Sequence, residues 1–329
     1  MQGWLEVLDG GIGNSIQDRG RFGFRHMGVA VSGCLNLWLA RCANALVGAP
    51  RDAACIEIRA VGPRLCVVIG PVRVALAGNI SAEVHRYAGK SQTLPPWQSI
   101  TLDARDELEV GFSTGGAAYL AVSGGIDTPV QLGSRSTYQR AQIGGIDGKA
   151  LCRGQAFPCQ TASHPGSEYH APPWHDPDTP IRLLPGPQDR HFRPEALLTL
   201  FNAEYRATPQ LDRMGIRLEG PLLEHIAPEA KDIVSDGVTP GCIQVPGNGQ
   251  PIILLADCQT VGGYPKIATI ITADLPRLGR ITPGQTLRFQ SVSLNEAKQA
   301  LLARESDWQS WLQQCTFDSA GVDSAGETI

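Results

Sequence analysis

Short apolar runs separated by glycine- and proline-containing turns recur along the whole chain, a pattern typical of β-strands. In the first half they predict strands at residues 4–8, 55–58, 64–69, 72–77, 99–102, 107–110 and 117–122. In the second half they predict strands at residues 181–184, 216–218, 242–245, 252–256, 267–271 and 286–289. Residues 35–47, 194–201 and 294–314 instead carry apolar positions at helical spacing, which predicts three helices. The chain is therefore expected to be mostly β.

The segment from Ser163 to Pro180 is rich in proline, histidine and aspartate and has no apolar period, so we expect an exposed connection between two domains. This places an N-terminal subdomain at residues 1–165, a linker at 166–180 and a C-terminal subdomain at 181–315. Two β-rich parts with one or two helices each suggest a pair of barrels or sandwiches. The small, polar end of the chain, residues 316–329, is expected to be a disordered tail.

Composition narrows the classes of partner. The chain has 329 residues, of which only 18% are charged, and its net charge of −4 argues against nucleic acid or an anionic membrane as a partner. Nine cysteines without a C-x-x-C pair, and an acidic N-terminus unlike a signal peptide, indicate free thiols in the cytoplasm. No apolar run approaches the length of a membrane span, and the seven histidines lack metal-ligand spacing, so neither a membrane helix nor a metal site is expected.

The first polar cluster is SIQDRGRFGFRHMGVAVSG, which contains Arg19, Arg25 and His26. Its glycines allow the backbone to approach a ligand, and arginines suit carboxylate or phosphate groups. We therefore interpret it as a candidate anion-binding loop, the alternative being a surface loop with solvated charges.

A second cluster, LGSRSTYQRAQIGGIDG, offers Ser134 and Arg135 for a polar pocket. Its hydroxyl groups could equally cap turns by bonding to backbone N–H groups. A third, LDRMGIRLEG, offers Arg213, for which a surface pair with an aspartate is the simpler interpretation.

The fourth cluster surrounds a predicted buried strand at its two ends, in SDGVTPGCIQVPGNGQ and DCQTVGGYPKIAT. Polar residues at the ends of barrel strands tend to converge at one rim, where pockets open. The candidate residues here are Gln244, Asp257, Gln259, Gly262, Gly263, Tyr264 and Lys266.

The amino-acid sequences of these clusters closely resemble the biotin-dependent carboxyltransferase-like family, also called the allophanate hydrolase subunit 2 family. The resemblance extends over about residues 10–294. That family includes KipA and the C subunit of the bacterial ATP-hydrolysing 5-oxoprolinase. The resemblance implies two tandem cyclophilin-like β-barrel subdomains with a few short helices. It also implies two partners, namely a relative of the A subunit of that enzyme together with a KipI-like B subunit, in a complex that opens 5-oxoproline to L-glutamate at the expense of ATP.

Opening an unstrained lactam requires its carbonyl to be phosphorylated or polarised, which calls for cations and a proton donor. Arg19, Arg25, Arg213 and Lys266 are expected to supply the cations. Asp257 is expected to position Lys266 or to accept a proton, and Tyr264 to donate to an oxyanion. ATP is the expected nucleotide, bound here or mainly by a partner subunit.

Two other functions stay open at this point. The chain could be a carboxyltransferase component acting on urea or a related amide, with carboxybiotin supplied in trans because no A-M-K-M attachment motif is present. It could instead be a KipA-like regulator of a KipI-like partner. Ala30, Asn36, Cys258 and Val261 depart from the family wording GVPVSGAMD and LLADRQTTGGY, which bears on substrate or partner choice.

Overall fold

The structure is a computed structural model of the chain and describes residues 1–163 and 168–318. Three α-helices are present in these residues: α1 Leu37–Leu46, α2 Pro194–Asn202 and α3 Leu294–Leu312. The strands of the first half are β1 Gln2–Asp9, β2 Ser15–Gln17, β3 Cys55–Ile58, β4 Arg64–Ile69, β5 Val72–Ala77, β6 Ala82–His85, β7 Gln92–Leu94, β8 Ser99–Leu102, β9 Glu107–Val110, β10 Ala118–Val122 and β11 Ala156–Gln160. Those of the second half are β12 Glu168–His170, β13 Ile181–Pro185, β14 Tyr205–Leu211, β15 Gly215–Glu219, β16 Asp236–Gly237, β17 Cys242–Gln244, β18 Ile252–Leu254, β19 Val261–Gly262, β20 Lys266–Ile270, β21 Thr286–Leu287, β22 Phe289–Ser291 and β23 Thr316–Asp318.

The N-terminal barrel is built from two sheets that enclose one apolar core. One sheet has the order β11-β1-β4-β9-β6-β7 and the other β2-β3-β10-β5-β8. Because side chains alternate along a strand, β5 sends Val74 and Leu76 into this core and Ala75 and Ala77 to its outer face. The small outer side chains leave room for α1 to pack directly on the sheet.

The C-terminal barrel is one eight-stranded sheet in the order β21-β14-β15-β18-β17-β20-β13-β22. Its two edge strands, β21 and β22, are separated in the chain only by Arg288. The edges must therefore lie side by side, which curves the sheet into a nearly closed barrel. The prediction of a mostly β chain with two barrels is confirmed.

Helix α1 is shared between the two barrels. Trp38, Leu39 and Leu46 belong to the same apolar cluster as Leu183, Ile243 and other core residues of the C-terminal barrel. The helix begins after Asn36, whose side chain accepts a hydrogen bond of 3.1 Å from Leu39 N. Asparagine caps helices as well as aspartate does, so the start of α1 is well capped.

The predicted linker has more structure than its composition suggests. Trp174 is 4% exposed and stacks on Trp38 with a centroid distance of 5.6 Å, and Trp308 and Trp311 complete the cluster. Burying one tryptophan side chain removes much apolar surface from water. This stabilises an ordered conformation of the segment although it is rich in proline. At the chain end, β23 pairs with β12, whereas residues 164–167 and most of the predicted tail, 319–329, lie outside the described residues.

Three of the expectations drawn from the sequence concern the state of the cysteines, metal binding and membrane-spanning helices. All nine cysteines are free thiols. In residues 1–163 and 168–318 there is no group of three or more His, Cys, Asp or Glu that could hold a metal ion. Within those same ranges, no helix has the length and apolarity needed to cross a bilayer.

Candidate functional site

A short two-stranded ribbon, β16 paired with β19, crosses one end of the C-terminal barrel. We call residues 233–238 and 259–264 the strap. Hydrogen bonds from Ile233 N to Gly263 O (2.8 Å) and from Val238 N to Thr260 O (3.1 Å) extend the pairing. The strap contains four of the residues that the sequence singles out, Gln259, Gly262, Gly263 and Tyr264.

Lys266, at the start of β20, lies beneath the strap. Its side chain is 2% exposed, and Nζ donates to Asp236 Oδ2 at 2.6 Å and to Gly237 O at 3.0 Å. Gln188 Nε2 donates to the same Oδ2 of Asp236 at 3.2 Å. The hydrogen bond from Lys266 is the main cause that lowers the pKa of Asp236, so an ammonium and a carboxylate face each other here.

Beside the strap a groove of about 690 Å³ runs along the C-terminal barrel. Arg140 reaches it from the N-terminal half, and Arg217, Gln244, Gln259 and Tyr264 line it from the C-terminal half. Within the described residues, the structure places no ion-pair partner next to Arg140 or Arg217. The groove thus offers two guanidinium groups, three amides and a phenol to a polar ligand, and the Asp212 carboxylate, whose Oδ1 accepts from Met214 N and Gly215 N, also lines it.

Gln244 is buried and held at both ends of its amide. Nε2 donates to Tyr264 O at 3.2 Å, and Oε1 accepts from Gln259 Nε2 at 3.3 Å. Gly262 passes close to it, since a Cβ built there would lie 2.6 Å from Gln244 Nε2. A glycine at 262 is what lets the strap lie this close to the amide.

Arg25 joins the N-terminal half to the strap. Its Nη2 donates to the carbonyl oxygens of Val238 and Gln259, the latter at 2.9 Å. The neighbouring Cys258 is fully buried, and burial raises the pKa of its thiol to about 11 despite Arg25. Cys258 therefore places a neutral thiol next to the Arg25 guanidinium.

Arg213 and Asp257 form a buried network that reaches across the barrels. Arg213 donates to Asp257 Oδ2 at 2.8 Å and Oδ1 at 3.0 Å, to Glu57 Oε1 at 2.5 Å and to Gly33 O at 2.8 Å. Glu57 Oε2 also accepts from the Tyr119 hydroxyl at 2.7 Å. Burial disfavours the charge of Arg213, but the two carboxylates outweigh it and raise the pKa of the guanidinium.

The expected contact between Asp257 and Lys266 is absent from the structure. Asp257 pairs with Arg213, and Lys266 pairs with Asp236. The reason is geometric, because Asp257 turns towards the boundary between the barrels whereas Lys266 points under the strap. Arg213 likewise uses four of its five N–H groups on internal acceptors, which makes it a positioning residue.

The other predicted residues lie apart from the groove. Ser134 donates to Asp18 Oδ1 at 2.6 Å, and Arg135 N donates to Asp18 Oδ2 at 2.6 Å, so both residues hold a turn. The Arg135 guanidinium pairs with Asp127. Arg19 stacks on the Phe22 ring at 5.3 Å, and both Arg19 and His26 are exposed.

The structure brings together Gln244, Gln259 and Tyr264, with Arg25 and Lys266 next to them. Sequence reasoning did not select Glu57, Asp236, Arg140 or Arg217 as site residues. Glu57 carried a usable signal, because a carboxylate inside the buried run CIEI requires an internal partner. Arg140 and Arg217 gave no comparable signal in the sequence, because exposed arginines are common on protein surfaces.

A β chain of two barrels with a polar groove on the second matches a known domain family. The family model described as carboxyltransferase domain, subdomain A and B, matches residues 27–291. The chain belongs to this family.

Two kinds of named protein are among its relatives. The C subunit of 5-oxoprolinase from Escherichia coli K12 is 34% identical over 95% of this chain and 98% of that protein. The protein of the same name from Haemophilus influenzae is 34% identical over 92% of this chain and 95% of that protein. The crystal structure of Kluyveromyces lactis urea carboxylase matches 94% of this chain with a TM-score of 0.83 and 26% identity, but only 29% of that longer chain is covered. The family resemblance noted in the sequence is thereby confirmed.

Proposed function

We propose that this chain is the C subunit of an ATP-dependent 5-oxoprolinase, which cleaves 5-oxoproline to L-glutamate together with the A and B subunits in the cytoplasm. The observation that carries the proposal is the match to two bacterial proteins of that name over 98% and 95% of their lengths. Those names describe one part of a larger enzyme. The nine free thiols suit a reducing compartment.

The groove has chemistry suited to a lactam that carries a carboxylate. Arg140 and Arg217 face the groove from opposite barrels and can bind an anion between them. Tyr264 is 42% exposed at the groove and can donate its hydroxyl proton to a carbonyl oxygen that gains negative charge. The Gln244 and Gln259 amides are fixed by their mutual hydrogen bond and can orient the ring amide.

Lys266 supplies a fixed positive charge below the strap. Two of its three N–H groups are used by Asp236 and Gly237, which leaves one donor for a ligand that enters the end of the barrel. Asp257 positions Arg213 and, through it, the boundary of the two barrels. Asp257 is therefore proposed to maintain the open shape of the groove by fixing the relative position of the two barrels.

ATP is a substrate of the proposed reaction, and the start of α1 is poorly suited to its phosphates, because the backbone N–H of Leu39 in the first turn is already capped by the Asn36 side chain. The backbone N–H groups of Leu35 and Asn36, at the start of α1, already donate to Glu57 and Tyr119. We place the nucleotide mainly on a partner subunit. The exposed arginines of the groove are suited to a smaller anion than ATP, such as the carboxylate of 5-oxoproline.

The decisive experiment reconstitutes the chain with a KipI-like B subunit together with a relative of the A subunit, and follows ADP and glutamate release. Addition of 5-oxoproline should stimulate both in equal amounts. A complete complex that releases ADP at the same rate with and without 5-oxoproline would contradict the proposal.

Lys266→Ala tests the site within that complex. Turnover should be lost while the complex remains assembled on a sizing column, because the ammonium is removed but no apolar core residue is. The matched control is Lys298→Ala, a lysine on α3 remote from the strap. Near-normal turnover of Lys266→Ala would remove this residue from the site.

A carboxyltransferase role is the second candidate, favoured by the similarity to urea carboxylase at a TM-score of 0.83. A putative urea carboxylase of Emericella nidulans is also 31% identical over 91% of this chain, which covers 25% of that protein. In this role biotin comes from a separate carrier, and the groove of about 690 Å³ has the size of a small-ligand site. Carboxylation of urea that requires a biotinylated carrier would support it, whereas binding to a KipI-like partner without turnover of either substrate would support a regulatory role.

A further inference from the structure

Four of the buried side-chain donors without a protein acceptor lie within one short part of the chain. Buried atoms of four residues between 21 and 36 have no hydrogen-bond partner: Arg21 Nη1, Arg25 Nη1, Ser32 Oγ and Asn36 Nδ2. Each of these atoms can donate a proton. Buried polar groups are nearly always paired, so these donors require an acceptor from outside the chain, either a water or a ligand.

Ser32 is the most confined member of this set. It is 4% exposed, and its φ of 55° lies in the left-handed region that residues with a Cβ seldom adopt. Its backbone is fixed on both sides, since Ser32 N donates to Ala256 O at 2.9 Å and Gly33 O accepts from Arg213. Strained, over-determined backbone of this kind clusters at ligand sites.

The surroundings of Ser32 favour a negatively charged acceptor. The residue that follows Ala256 is Asp257, which shares the Arg213 guanidinium with Glu57. Arg25 lies along the same segment, with Nη2 on Gln259 O and Nη1 unpaired. Burial raises the pKa of Tyr138, which interacts with Asp257 and Arg25, so its hydroxyl stays a donor.

We infer that the Ser32 hydroxyl and Arg25 Nη1 donate hydrogen bonds to oxygen atoms of an anionic ligand, a carboxylate or phosphoryl group, at the boundary between the barrels. The identity of that ligand as 5-oxoproline or its phosphorylated form rests on the proposed function. The presence of an oxyanion site with these two donors does not.

The Ser32→Ala substitution distinguishes an effect on ligand binding from an effect on stability. The substitution removes a buried hydroxyl that makes no hydrogen bond inside the protein and keeps the same Cβ at the same φ, so the Tm should rise or stay unchanged. In the assembled complex, kcat/KM for 5-oxoproline should fall about 10- to 100-fold, as expected for loss of a hydrogen bond to a charged group. Ser113→Ala is the control, because Ser113 is equally buried but donates to Gly116 O at 2.6 Å. It should lower the Tm and leave kcat/KM unchanged.

A binding experiment on the same complex distinguishes this inference from the proposed function. Inorganic phosphate, 5-oxoproline and urea are titrated calorimetrically into the wild type, Ser32→Ala and Ser113→Ala. Tighter binding of either anion than of urea, weakened about tenfold by Ser32→Ala alone, supports the site even if 5-oxoproline is not turned over. Equal affinity of wild type and Ser32→Ala for both anions, or no anion binding by the wild type, would overturn it.

Discussion

Arg213 and Glu57 lie 156 positions apart in the chain and form an ion pair across the boundary of the two barrels. Both side chains are almost fully buried, at 11% and 1% exposure. The pair shares its guanidinium with Asp257, the first residue of the cluster that leads into the strap. We therefore expect a substitution of either residue to affect both the packing of the two barrels and the shape of the groove.

Arg213→Met should destabilise the chain by about 3–5 kcal/mol, because removing one partner leaves buried carboxylates without compensation. Equilibrium unfolding in urea measures the loss. Arg217→Met is the matched control, since Arg217 lies on β15 but is exposed, and its stability should stay within about 0.5 kcal/mol of the wild type. A loss below about 1 kcal/mol for Arg213→Met would contradict the buried network.

The ion pair of Asp236 with Lys266 should make stability depend on pH with a defined sign. The folded protein lowers the pKa of Asp236, chiefly through the Lys266 hydrogen bond, so this contribution is present above the ordinary aspartate pKa and is lost as pH falls through the lowered one. The urea midpoint of the wild type should exceed that of Asp236→Asn at about pH 6, and the gap should close towards about pH 3. A gap that widens on acidification would contradict the pairing.

Gly262→Ala tests the close approach of the strap to Gln244. The added Cβ would lie 2.6 Å from Gln244 Nε2, and overpacking of this kind costs about 1–3 kcal/mol. Gly237→Ala, on the paired strand, places its Cβ where no atom lies within 4 Å. Thermal unfolding should show a lower Tm for Gly262→Ala than for Gly237→Ala, and equal values would mean that the strap lies further from Gln244.

Trp174 should behave as a core residue despite its proline-rich surroundings. Trp174→Ala should cost about 3–5 kcal/mol, the usual loss for a buried tryptophan. Trp174→Phe should cost clearly less, since the indole N–H has no hydrogen-bond partner and its removal is favourable. His175→Ala, an exposed neighbour, should be nearly neutral. A Trp174→Ala variant as stable as His175→Ala would instead mark the segment as a loose connection.

The fold was predictable wherever a strand is apolar and bounded by turns. Strands β3, β4 and β5 were predicted to the residue for this reason. Strands β11 and β14 escaped prediction, because AFPCQ and YRATPQL each contain a proline, which argues against a strand. Such strands are specified by their neighbours in the sheet more than by their own composition.

The candidate site was predictable only in part. Gln244, Gln259 and Tyr264 were grouped correctly in space because they flank adjacent strand ends of one barrel. The pairing of Lys266 with Asp236, and of Arg213 with Glu57, was not predictable. Spacing along the chain says nothing about which of several carboxylates a distant cation will face once the barrels pack.

The alternation of side chains along β5 has a consequence for how this chain can be divided. One face of the strand, with Val74 and Leu76, completes the first barrel, while the other, with Ala75 and Ala77, lies under α1 and so contributes to the core of the second. A cut in the connection near Trp174 would strip α1 of half its cover and expose a wide apolar surface on both fragments. Because the two barrels share this apolar cluster, we expect them to unfold together and not as separate domains.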